Sequence, residues 1–466
     1  MSKKLNQAFF FTWMITLIGF QGAARAQSIS ASWQKKILKQ LENQIKKQEK
    51  EIRSEQDKLK ELQVKVEQLQ KKSASVPSKS TSGKNFVRVP KGFKVKLYGF
   101  VRGDVFSDSH RTNFSEGPSF VLSPKDPSFK QQQTGELSFT GRYTRIGLSI
   151  ISPSLPGGWK PSGIVDFDFA NAFSVPGDLN PDITSRSKPA ARLHLAYARI
   201  HKGLLYFEFG QDWDLFGQVL PVVDAVPTNM GNLGDIGYRR PQIQIGYTPK
   251  LGFQIAGEAG LEGAVDNASL DGSGFISGEA SQIPLVSLLL GYNWRSPVSG
   301  QPYSFRVWAA QGEQKLAAGA IAGKDRFFTD LIGADFTAPV NSWYLLHGKL
   351  WTGSDLADVT GGIGQNINPA TGSAIGSRGG WIEMGFGVTK NYWVYPGYFL
   401  DNPFAGDFLP SQSFARVKNS AWTLAQRFNL GSSLTLGLDY FYWVTDYKAE
   451  PPGIDNRFNL FLQEGF

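Results

Sequence analysis

Two different periods of hydrophobic positions divide the chain. Over residues 38–69 apolar side chains recur alternately after three and four positions, the heptad spacing of a helix that packs one stripe against a partner. From Phe93 onward every second side chain is apolar, as in a β-strand with one polar and one apolar face. The two patterns predict an α-helical coiled coil followed by an all-β module.

The predicted coiled coil occupies residues 27–72, which contain no Gly or Pro. A single helix with such a stripe leaves it exposed to water, so we expect this segment to self-associate. Gln48 and Glu55 lie in the seam, where buried polar residues lower stability and help to fix register. A lone amphipathic helix that lies on another surface is the alternative. The apolar seam consists of Leu38, Leu41, Ile45, Ile52, Leu59, Leu62, Val66 and Leu69.

Two further segments flank the coil. Residues 1–26 have a basic start, an apolar block over residues 9–20 and a small-x-small site that ends at Ala26, which together predict a cleaved signal peptide. An uncleaved anchor is the alternative, and it is disfavoured because a membrane helix needs about 20 apolar residues. Residues 73–90 are polar and Ser-rich, and they predict a linker between the two modules.

The β module covers residues 91–466. Its alternation fits a soluble sandwich, in which the apolar face meets a core, and equally a transmembrane barrel, in which the apolar face meets lipid. The signal peptide, the terminal Phe466 and the aromatic residues near strand ends favour the barrel. The length accommodates about 16 antiparallel strands, with about 14 or 18 as alternatives. The expected interface aromatics are Trp294, Trp308, Trp343, Tyr344, Trp381, Trp393, Trp422, Tyr440, Tyr442 and Trp443.

These features predict a location in the bacterial outer membrane, with the coiled coil in the periplasm and the strands in contact with outer-membrane lipid. Phe466 closes a run in which Phe458, Leu460 and Leu462 alternate with polar residues. We expect this ending to be recognised by the barrel assembly machinery as the signal of a terminal barrel strand.

The formal net charge of +9 does not indicate a nucleic-acid partner, because the basic excess lies in residues 1–89 and the β module is nearly neutral. The basic coil leaves open a structural alternative, in which it anchors the protein to an anionic cell-wall polymer. The chain contains no Cys, which fits export to an oxidising compartment and excludes thiol catalysis and Cys-based metal sites.

Charged residues at the polar positions of the predicted strands are candidates for the lumen wall, where charge sets ion selectivity. Arginine suits carboxylates because its guanidinium grips two oxygens at once, although each charge can equally pair across strands. Residues 217–240 predict a long loop that either folds into the barrel or stays outside, and residues 360–380 predict a second glycine-rich loop. The candidates are Arg102, Asp104, Arg145 (or Arg142), Asp166, Asp168, Arg192, Glu208, Lys349 and, at a constriction, Arg239 and Arg240.

Catalysis has little support in the sequence. The four histidines are scattered and have no metal-ligand spacing, and no Gly-x-Ser-x-Gly nucleophile motif occurs. His194 falls on an inward position, where a lone histidine more often lines a lumen than acts as a base. We therefore predict a protein that is not an enzyme and has no cofactor or metal.

Short motifs in the β module resemble the DcaP-like family of outer-membrane porins. They are Gly210-Gln211-Asp212-Trp213, Gly348-Lys349-Leu350-Trp351-Thr352-Gly353, Arg416-Val417-Lys418-Asn419 and the stretch from Leu434 to Tyr447. The order of leader, coiled coil and barrel is similar as well. The resemblance implies a trimeric, 16-stranded diffusion channel for small hydrophilic solutes, often anions or dicarboxylates. The family's usual Gly-Glu in the second motif is Gly348-Lys349 here, which changes a charge that faces the predicted lumen.

A second function stays open at this stage. The legiobactin type of siderophore receptor is similar in its coil-plus-barrel plan, which makes a dedicated receptor for a siderophore-like ligand the alternative to a porin. No plug domain or energy-coupling box precedes the predicted barrel, and this favours the porin.

Overall fold

The computed structural model describes residues 90–114, 116–126, 134–172, 189–224, 230–264, 277–296 and 298–466. The predicted signal peptide and coiled coil, and nearly all of the predicted linker, lie outside the described residues. The signal peptide, the coiled coil and the linker therefore remain predictions from the sequence.

The described chain is built of β-strands joined by turns and loops. The strands are β1 (Lys94–Asp108), β2 (Glu136–Thr140), β3 (Arg145–Ile151), β4 (Lys160–Ala172), β5 (Pro189–Lys202), β6 (Leu205–Trp213), β7 (Arg239–Tyr247), β8 (Gly252–Gly260), β9 (Leu285–Arg295), β10 (Pro302–Lys315), β11 (Arg326–Asn341), β12 (Tyr344–Ser354), β13 (Ile367–Asn368), β14 (Ser373–Ala374), β15 (Gly376–Gly387), β16 (Tyr392–Pro403), β17 (Arg416–Asn429), β18 (Leu434–Tyr447) and β19 (Gly453–Gly465). One short helix, α1 (Ser277–Ser281), is found in the described ranges.

The sheet closes on itself into an antiparallel barrel. Each barrel strand pairs with its neighbour in the chain, and β19 returns to pair with β1. β2 and β3 both pair with β1 and form one barrel strand that is interrupted at residues 141–144, while β13 and β14 form a separate hairpin within a loop. The wall therefore has 16 strands, as the length of the β module predicts.

The two faces of the wall are the reverse of those in a soluble protein. On β7, Ile243 and Ile245 are 51% and 46% exposed, whereas Gln242 and Gln244, which alternate with them, are buried. A sandwich would bury the isoleucines against a second sheet. Here the apolar face surrounds the barrel and the polar face lines its interior, as the hydrocarbon of a membrane requires. The sandwich alternative is therefore wrong.

The prediction of an interface position is wrong for three of the tryptophans. Trp308, Trp381 and Trp443 are almost fully buried and point into the barrel. Each indole N–H donates to an inward acceptor, as at Trp381, whose Nε1 lies 2.9 Å from Asp235 Oδ1. Because Trp308 shares its strand face with the buried Arg306, the same parity that marks polar lumen residues identifies it as inward. Trp294, Trp343 and Trp422 are exposed on the outer face.

The connections differ in length at the two ends of the barrel. One end has short turns, such as residues 203–204 and 342–343, and the other has long loops, such as residues 214–238 and 355–375. Outer-membrane barrels carry short turns on the periplasmic side and long loops on the outside. We assign the long-loop end of this barrel to the extracellular side on that basis.

Among the described residues, no helix has the length and hydropathy of a membrane-spanning helix.

Candidate functional site

The described parts of the loop between β6 and β7, residues 214–224 and 230–238, lie inside the barrel. Its Val222 and Val223 N–H groups donate to the Glu383 carboxylate on β15, at 2.6 and 3.0 Å. Farther along, Asp235 Oδ1 lies 2.6 Å from Lys349 Nζ on β12. Because β12 and β15 are on the opposite side of the ring from β6 and β7, the loop crosses the lumen. The sequence left open whether this loop folds into the barrel or stays outside, and in the structure its described parts fold into the barrel.

The same loop also contacts the strands at which the barrel closes. Asp224 Oδ2 lies 2.7 Å from Arg102 Nη1 on β1, and the Asp224 carbonyl accepts from Asn459 on β19 at 3.2 Å. The structure does not describe residues 225–229 of this loop. The described parts on both sides of them are thus fixed to the wall at several points.

A second loop, residues 355–375, lies beside the first. The N–H of Gly237 donates to the Val359 carbonyl at 2.8 Å, which joins the two loops directly. The N–H of Ile363 donates to Asp401 on β16 at 3.0 Å, so this loop also reaches the wall. The sequence predicted a glycine-rich loop over residues 360–380, but β15 already begins at Gly376.

Together the two loops build apolar cores inside the barrel. On one side they pack against strands β8 to β12, and the buried members are Leu215, Phe216, Ile236, Ala256, Leu285, Leu289, Trp308, Ala310, Leu331, Trp351, Leu356 and Val359. On the next side the first loop alone packs, with Val121 of the β1–β2 loop, against β15 to β18, and the buried members are Val121, Val223, Met230, Leu233, Trp381, Phe399, Ala421, Ala425, Phe441 and Trp443. This part of the lumen, which we call the packed half, is filled by side chains.

The remaining space lies against β1 and β3 to β7. It contains a cavity of about 220 Å³, which we call the arginine cavity. Its wall carries four arginines from four different strands, together with two aspartates, one histidine and several aromatic rings. The lining residues are Phe100, Arg102, Tyr143, Arg145, Asp168, Arg192, His194, Trp213, Leu220, Pro221, Val222, Val223, Asp224 and Arg239.

Two of the four arginines are neutralised by carboxylates. Arg102 binds Asp104 through its Nε and Nη2 atoms, and it also reaches Asp224 of the infolded loop. Arg192 forms a two-point pair with Asp168, at 2.9 and 2.7 Å. Such two-point pairs fix the guanidinium plane and leave little net charge for a passing solute.

The other two, Arg145 and Arg239, have no ion pair with any described residue. Arg239 donates to the Tyr238 hydroxyl through Nη2, but its Nε and Nη1 have no hydrogen-bond partner in the described part of the chain. The Nε of Arg145 is likewise without a described partner. The Arg239 guanidinium lies 5.2 Å from the Trp213 ring and 4.5 Å from the Tyr238 ring, which hold it in place without neutralising it. The cavity therefore presents donors that suit an anion.

Arg240, the next residue after Arg239, has a different environment. It is fully buried, and its Nε and Nη1 atoms bind Asp214 at 2.6 Å and Asp358 at 2.5 Å. Since Asp214 begins the first infolded loop and Asp358 belongs to the second, Arg240 joins both loops to β7. The structure thus separates two arginines that the sequence placed together at a constriction.

Of the other predicted lumen residues, Asp166 lies beside the arginine cavity, whereas Glu208 and Lys349 lie away from it. Asp166 binds His194 Nδ1 at 2.9 Å and accepts from the Tyr98 hydroxyl at 3.0 Å, next to the arginine cavity. Glu208 pairs with Arg199 on β5, and Lys349 pairs with Asp235 in the packed half. Arg102, Arg145, Asp168, Arg192 and Arg239 are therefore brought together, with Asp104 and Asp166 beside them, whereas Glu208, Arg240 and Lys349 lie elsewhere.

Several residues of the cavity were not singled out from the sequence. Asp224 lies in a loop without alternation, and its partner Arg102 is distant in the chain, so no local signal marks it. Trp213 ends the Gly210-Gln211-Asp212-Trp213 motif, which gives its place in the chain but not its role as a support for Arg239.

Burial changes the acidity of two carboxyl groups in the loops. Burial raises the pKa of Asp235, and the neighbouring Lys349 opposes that rise. Burial and the charge of Asp358 raise the pKa of Glu262, in the loop after β8, to about 8. Glu262 accepts a hydrogen bond from Thr329 at 2.6 Å and also lies near Asp355. Both groups belong to the packed half and not to the arginine cavity.

A closed 16-stranded antiparallel barrel with a polar interior and infolded long loops is the architecture of outer-membrane porins and channels. The chain is similar to the solved outer membrane channel DcaP of Acinetobacter baumannii, with a TM-score of 0.60 and 18% identity over 82% of this chain and 99% of that one. It is also similar to the anion-selective porin from Comamonas acidovorans, with a TM-score of 0.53 and 14% identity over 80% of this chain and 100% of that one. The predicted resemblance to DcaP-like porins is confirmed at the level of the fold.

A third solved structure, OprB of Pseudomonas putida, has a TM-score of 0.50 and 12% identity over 81% of this chain and 94% of that one. No protein-family model matches the chain, and no curated protein matches it. The similarity to these porins and channels is therefore one of fold.

Proposed function

We propose that this protein is an outer-membrane porin for the passive diffusion of small hydrophilic solutes, with a preference for anions and dicarboxylates. The observation that carries the proposal is the pair of arginines, Arg145 and Arg239, that face one cavity without an ion pair in the described residues. The barrel provides a polar route, and the packed half confines that route to the arginine side.

Selectivity follows from the charges along this route. Arg102 and Arg192 are held by Asp104, Asp224 and Asp168, so they shape the wall more than they attract ions. Arg145 and Arg239 retain N–H donors that are not used within the described protein, and a carboxylate can accept from two such donors at once. Low-dielectric walls strengthen this attraction, because the field in a narrow passage is screened less than in bulk water.

The interaction is suited to passage and not to capture. Conduction requires that a solute bind well enough to enter and weakly enough to leave. Asp168 and Asp224 line the same cavity as the two arginines and repel a carboxylate that stays close to them. The similar fold of the anion-selective porin from Comamonas acidovorans agrees with this selectivity. A siderophore receptor, the other function that the sequence left open, gains no support from these neighbours.

The proposal includes the outer membrane as location, contact with outer-membrane lipid, insertion by the barrel assembly machinery and assembly as a homotrimer through the predicted coil. It assigns no catalytic step and no cofactor. Removal of residues 27–72 from the mature chain tests the role of the coil in assembly. We expect the trimer to weaken on semi-native gels while the barrel still folds.

Single-channel recording of the purified full chain in a planar bilayer tests the function. We expect open channels whose reversal potential under a KCl gradient indicates preferential Cl⁻ passage, and a current that falls when a small dicarboxylate is added. A protein that folds but conducts no current, or that prefers K⁺, would reject the proposal.

A further inference from the structure

An apolar groove of about 550 Å³ lies on the outer face of the barrel, over strands β11, β12, β15 and β16. It is separate from the arginine cavity, which lies inside the wall. Leu350, which lines the groove, is 68% exposed, more than any other leucine in the described barrel wall. The apolar side chains that line the groove are Phe336, Leu350, Ile382, Tyr398 and Leu400.

The groove exists because two outward side chains are missing. Leu350, Gly380 and Leu400 are paired across three neighbouring strands, so the middle position of this outward row is a glycine. Gly380 has a φ of +156°, and a Cβ there would lie 2.3 Å from the Lys349 carbonyl oxygen, so a larger residue does not fit. One step towards the short-turn end, Gly348 leaves a second gap beside Phe336. The gap is thus fixed by the backbone.

A cation lies directly above the groove. Arg378 is exposed on the outer face, two positions before Gly380 on β15, and it lines the groove together with Thr352. It has no ion pair with any residue of the described ranges. Its strand begins at Gly376, immediately after the long loop, so Arg378 lies at the extracellular end of the wall. An outward arginine is tolerated at that depth because it reaches the membrane interface.

Not every outward cation near the extracellular end of the barrel lacks a partner as Arg378 does. Lys418, on β17, is also outward and near the extracellular end, but it pairs with Asp446 at 3.4 Å. Arg378 has Thr352 and Asn402 as its cross-strand partners, and both are uncharged. Arg378 thus differs from Lys418 in having no carboxylate partner among the described residues.

We propose that this groove binds a phosphorylated, acylated glycolipid of the outer leaflet, with one acyl chain in the groove and a phosphate on Arg378. The inference rests on the outer-membrane location that forms part of the proposed function. The combination of an apolar furrow with an unpaired cation above it matches an acyl chain below an anionic headgroup. A guanidinium is suited to phosphate because it donates two parallel hydrogen bonds.

The outer leaflet is the source of the lipid because Arg378 lies at the long-loop end of the barrel. A phospholipid of the inner leaflet would place its phosphate at the short-turn end, far from this arginine. A second copy of the chain on this face would leave the Arg378 charge against another apolar surface unless it supplied a carboxylate, and the experiment below separates that case.

The test measures binding of bis-phosphorylated lipid A to the full chain folded in detergent, by native mass spectrometry and titration. We expect Arg378→Gln to weaken binding about tenfold, since a charge-assisted hydrogen bond is worth about 1.4 kcal/mol or more. Removal of both phosphates from the lipid should weaken binding to the unchanged protein by a similar factor. Leu350→Ser, which makes the groove wall polar, should also weaken binding while Arg378 stays in place.

Lys418→Gln is the matched control, because it removes an outward cation of the same level that already has a partner. We expect it to change the affinity less than about twofold. Equal affinity of the Arg378→Gln variant and the unchanged protein, or equal binding of the dephosphorylated lipid, would overturn the proposal. The chain has no Cys, so Leu350→Cys introduces a single thiol; disulfide-linked dimers in a bilayer would place a second copy on this face and would also overturn it.

Channel conductance, recorded on the same preparations, keeps this test separate from the proposed function. A variant that loses lipid A but retains its current changes only the groove. Lipid binding without any current would instead reject the porin and retain the groove.

Discussion

The two halves of the lumen use similar residues for different purposes. In the packed half, Arg240 and Lys349 are fully buried, and each is matched to aspartates of the infolded loops. In the arginine cavity, Arg145 and Arg239 line open space, and neither has an ion pair with a described residue. A charge inside a barrel therefore does not identify a pore residue by itself. Its partners decide whether it fixes a loop or meets a solute.

The contrast is sharpest at Arg239 and Arg240, which are neighbours in the chain. Arg240 belongs to the inward face of β7 and joins both loops through Asp214 and Asp358. Arg239 is the first residue of the same strand, where the chain leaves the infolded loop, and its guanidinium rests against Trp213 and Tyr238. The comparison predicts that substitution of the first affects stability and that substitution of the second affects selectivity.

The largest effect is expected from Arg240→Ala. The substitution leaves Asp214 and Asp358 buried without their cation, and breaking a buried pair in this way costs about 3–5 kcal/mol. We expect the infolded loops to detach, with a lower unfolding temperature of the folded barrel and a noisier, larger conductance. Arg239→Ala, the matched control next to it, should lower the unfolding temperature much less. Equal loss of stability in both variants would contradict the division of the lumen.

Ion selectivity should depend more on Arg239 than on Arg240, which is the reverse of the order expected for stability. Arg239→Gln removes an unpaired charge from the arginine cavity, and Arg145→Gln removes the other. We expect the ratio of Cl⁻ to K⁺ permeability to fall about threefold for each, because one desolvated charge in a narrow passage contributes on the order of 1 kcal/mol. The reversal potential under a KCl gradient measures this ratio.

Arg240→Lys provides the control for this second comparison, since it retains the charge at the buried position. An unchanged reversal potential in both the Arg239→Gln and Arg145→Gln variants would show that the conduction path avoids the arginine cavity.

The sequence predicted the barrel strands and the long loop, but not which part of the lumen the loop fills. Alternation, strand number and the long loop over residues 217–240 follow from local patterns, since the polar or apolar character of every second residue is visible in the chain. Pairing partners are not, because Asp224 meets Arg102 and Asp358 meets Arg240 only after the loops fold into the barrel. Arg239 and Arg240 are therefore equivalent in the sequence and distinct in the structure.

The inward tryptophans illustrate the same limit. A tryptophan in a barrel strand is typical of the membrane interface, and Trp343 and Trp422 are exposed on the outer face. Trp351, Trp381 and Trp443 instead cover the infolded loops, and the Trp351 indole donates to the Gly234 carbonyl at 2.7 Å. Without the loop in place such a residue has no inward partner, so only parity along the strand could have indicated its direction.

A smaller effect concerns pH in the packed half. Glu262 has a pKa of about 8 in the folded chain against an ordinary value of 4.5, because burial and the charges of Asp358 and Asp355 raise the pKa more than the nearby Arg240 lowers it. The folded state therefore retains a proton that the unfolded state has released. The stability that protonated Glu262 contributes is complete below about pH 4.5 and is lost progressively as the pH rises to about 8.

The measurement is the unfolding temperature between pH 5 and pH 8.5, with Glu262→Gln as the comparison. The amide keeps the hydrogen bond with Thr329 but has no charge to bury, so we expect its unfolding temperature to depend less on pH than that of the unchanged protein. Parallel curves for the two proteins would show that Glu262 is ionised throughout this pH range and that burial does not raise its pKa.

The smallest effect is expected where the two halves meet, at Asp224. This residue is 28% exposed at its side chain and bonds Arg102 from the infolded loop. Asp224→Asn removes a negative charge from the arginine cavity and leaves Arg102 with Asp104 as its carboxylate partner, so the net charge of the cavity becomes more positive. We expect the Cl⁻ preference to rise less than about twofold, with at most about 1 kcal/mol lost in stability because the pair is partly solvated. The reversal potential under a KCl gradient shows whether the Cl⁻ preference rises or falls. A fall would mean that Asp224 acts by positioning Arg102 and not by its own charge.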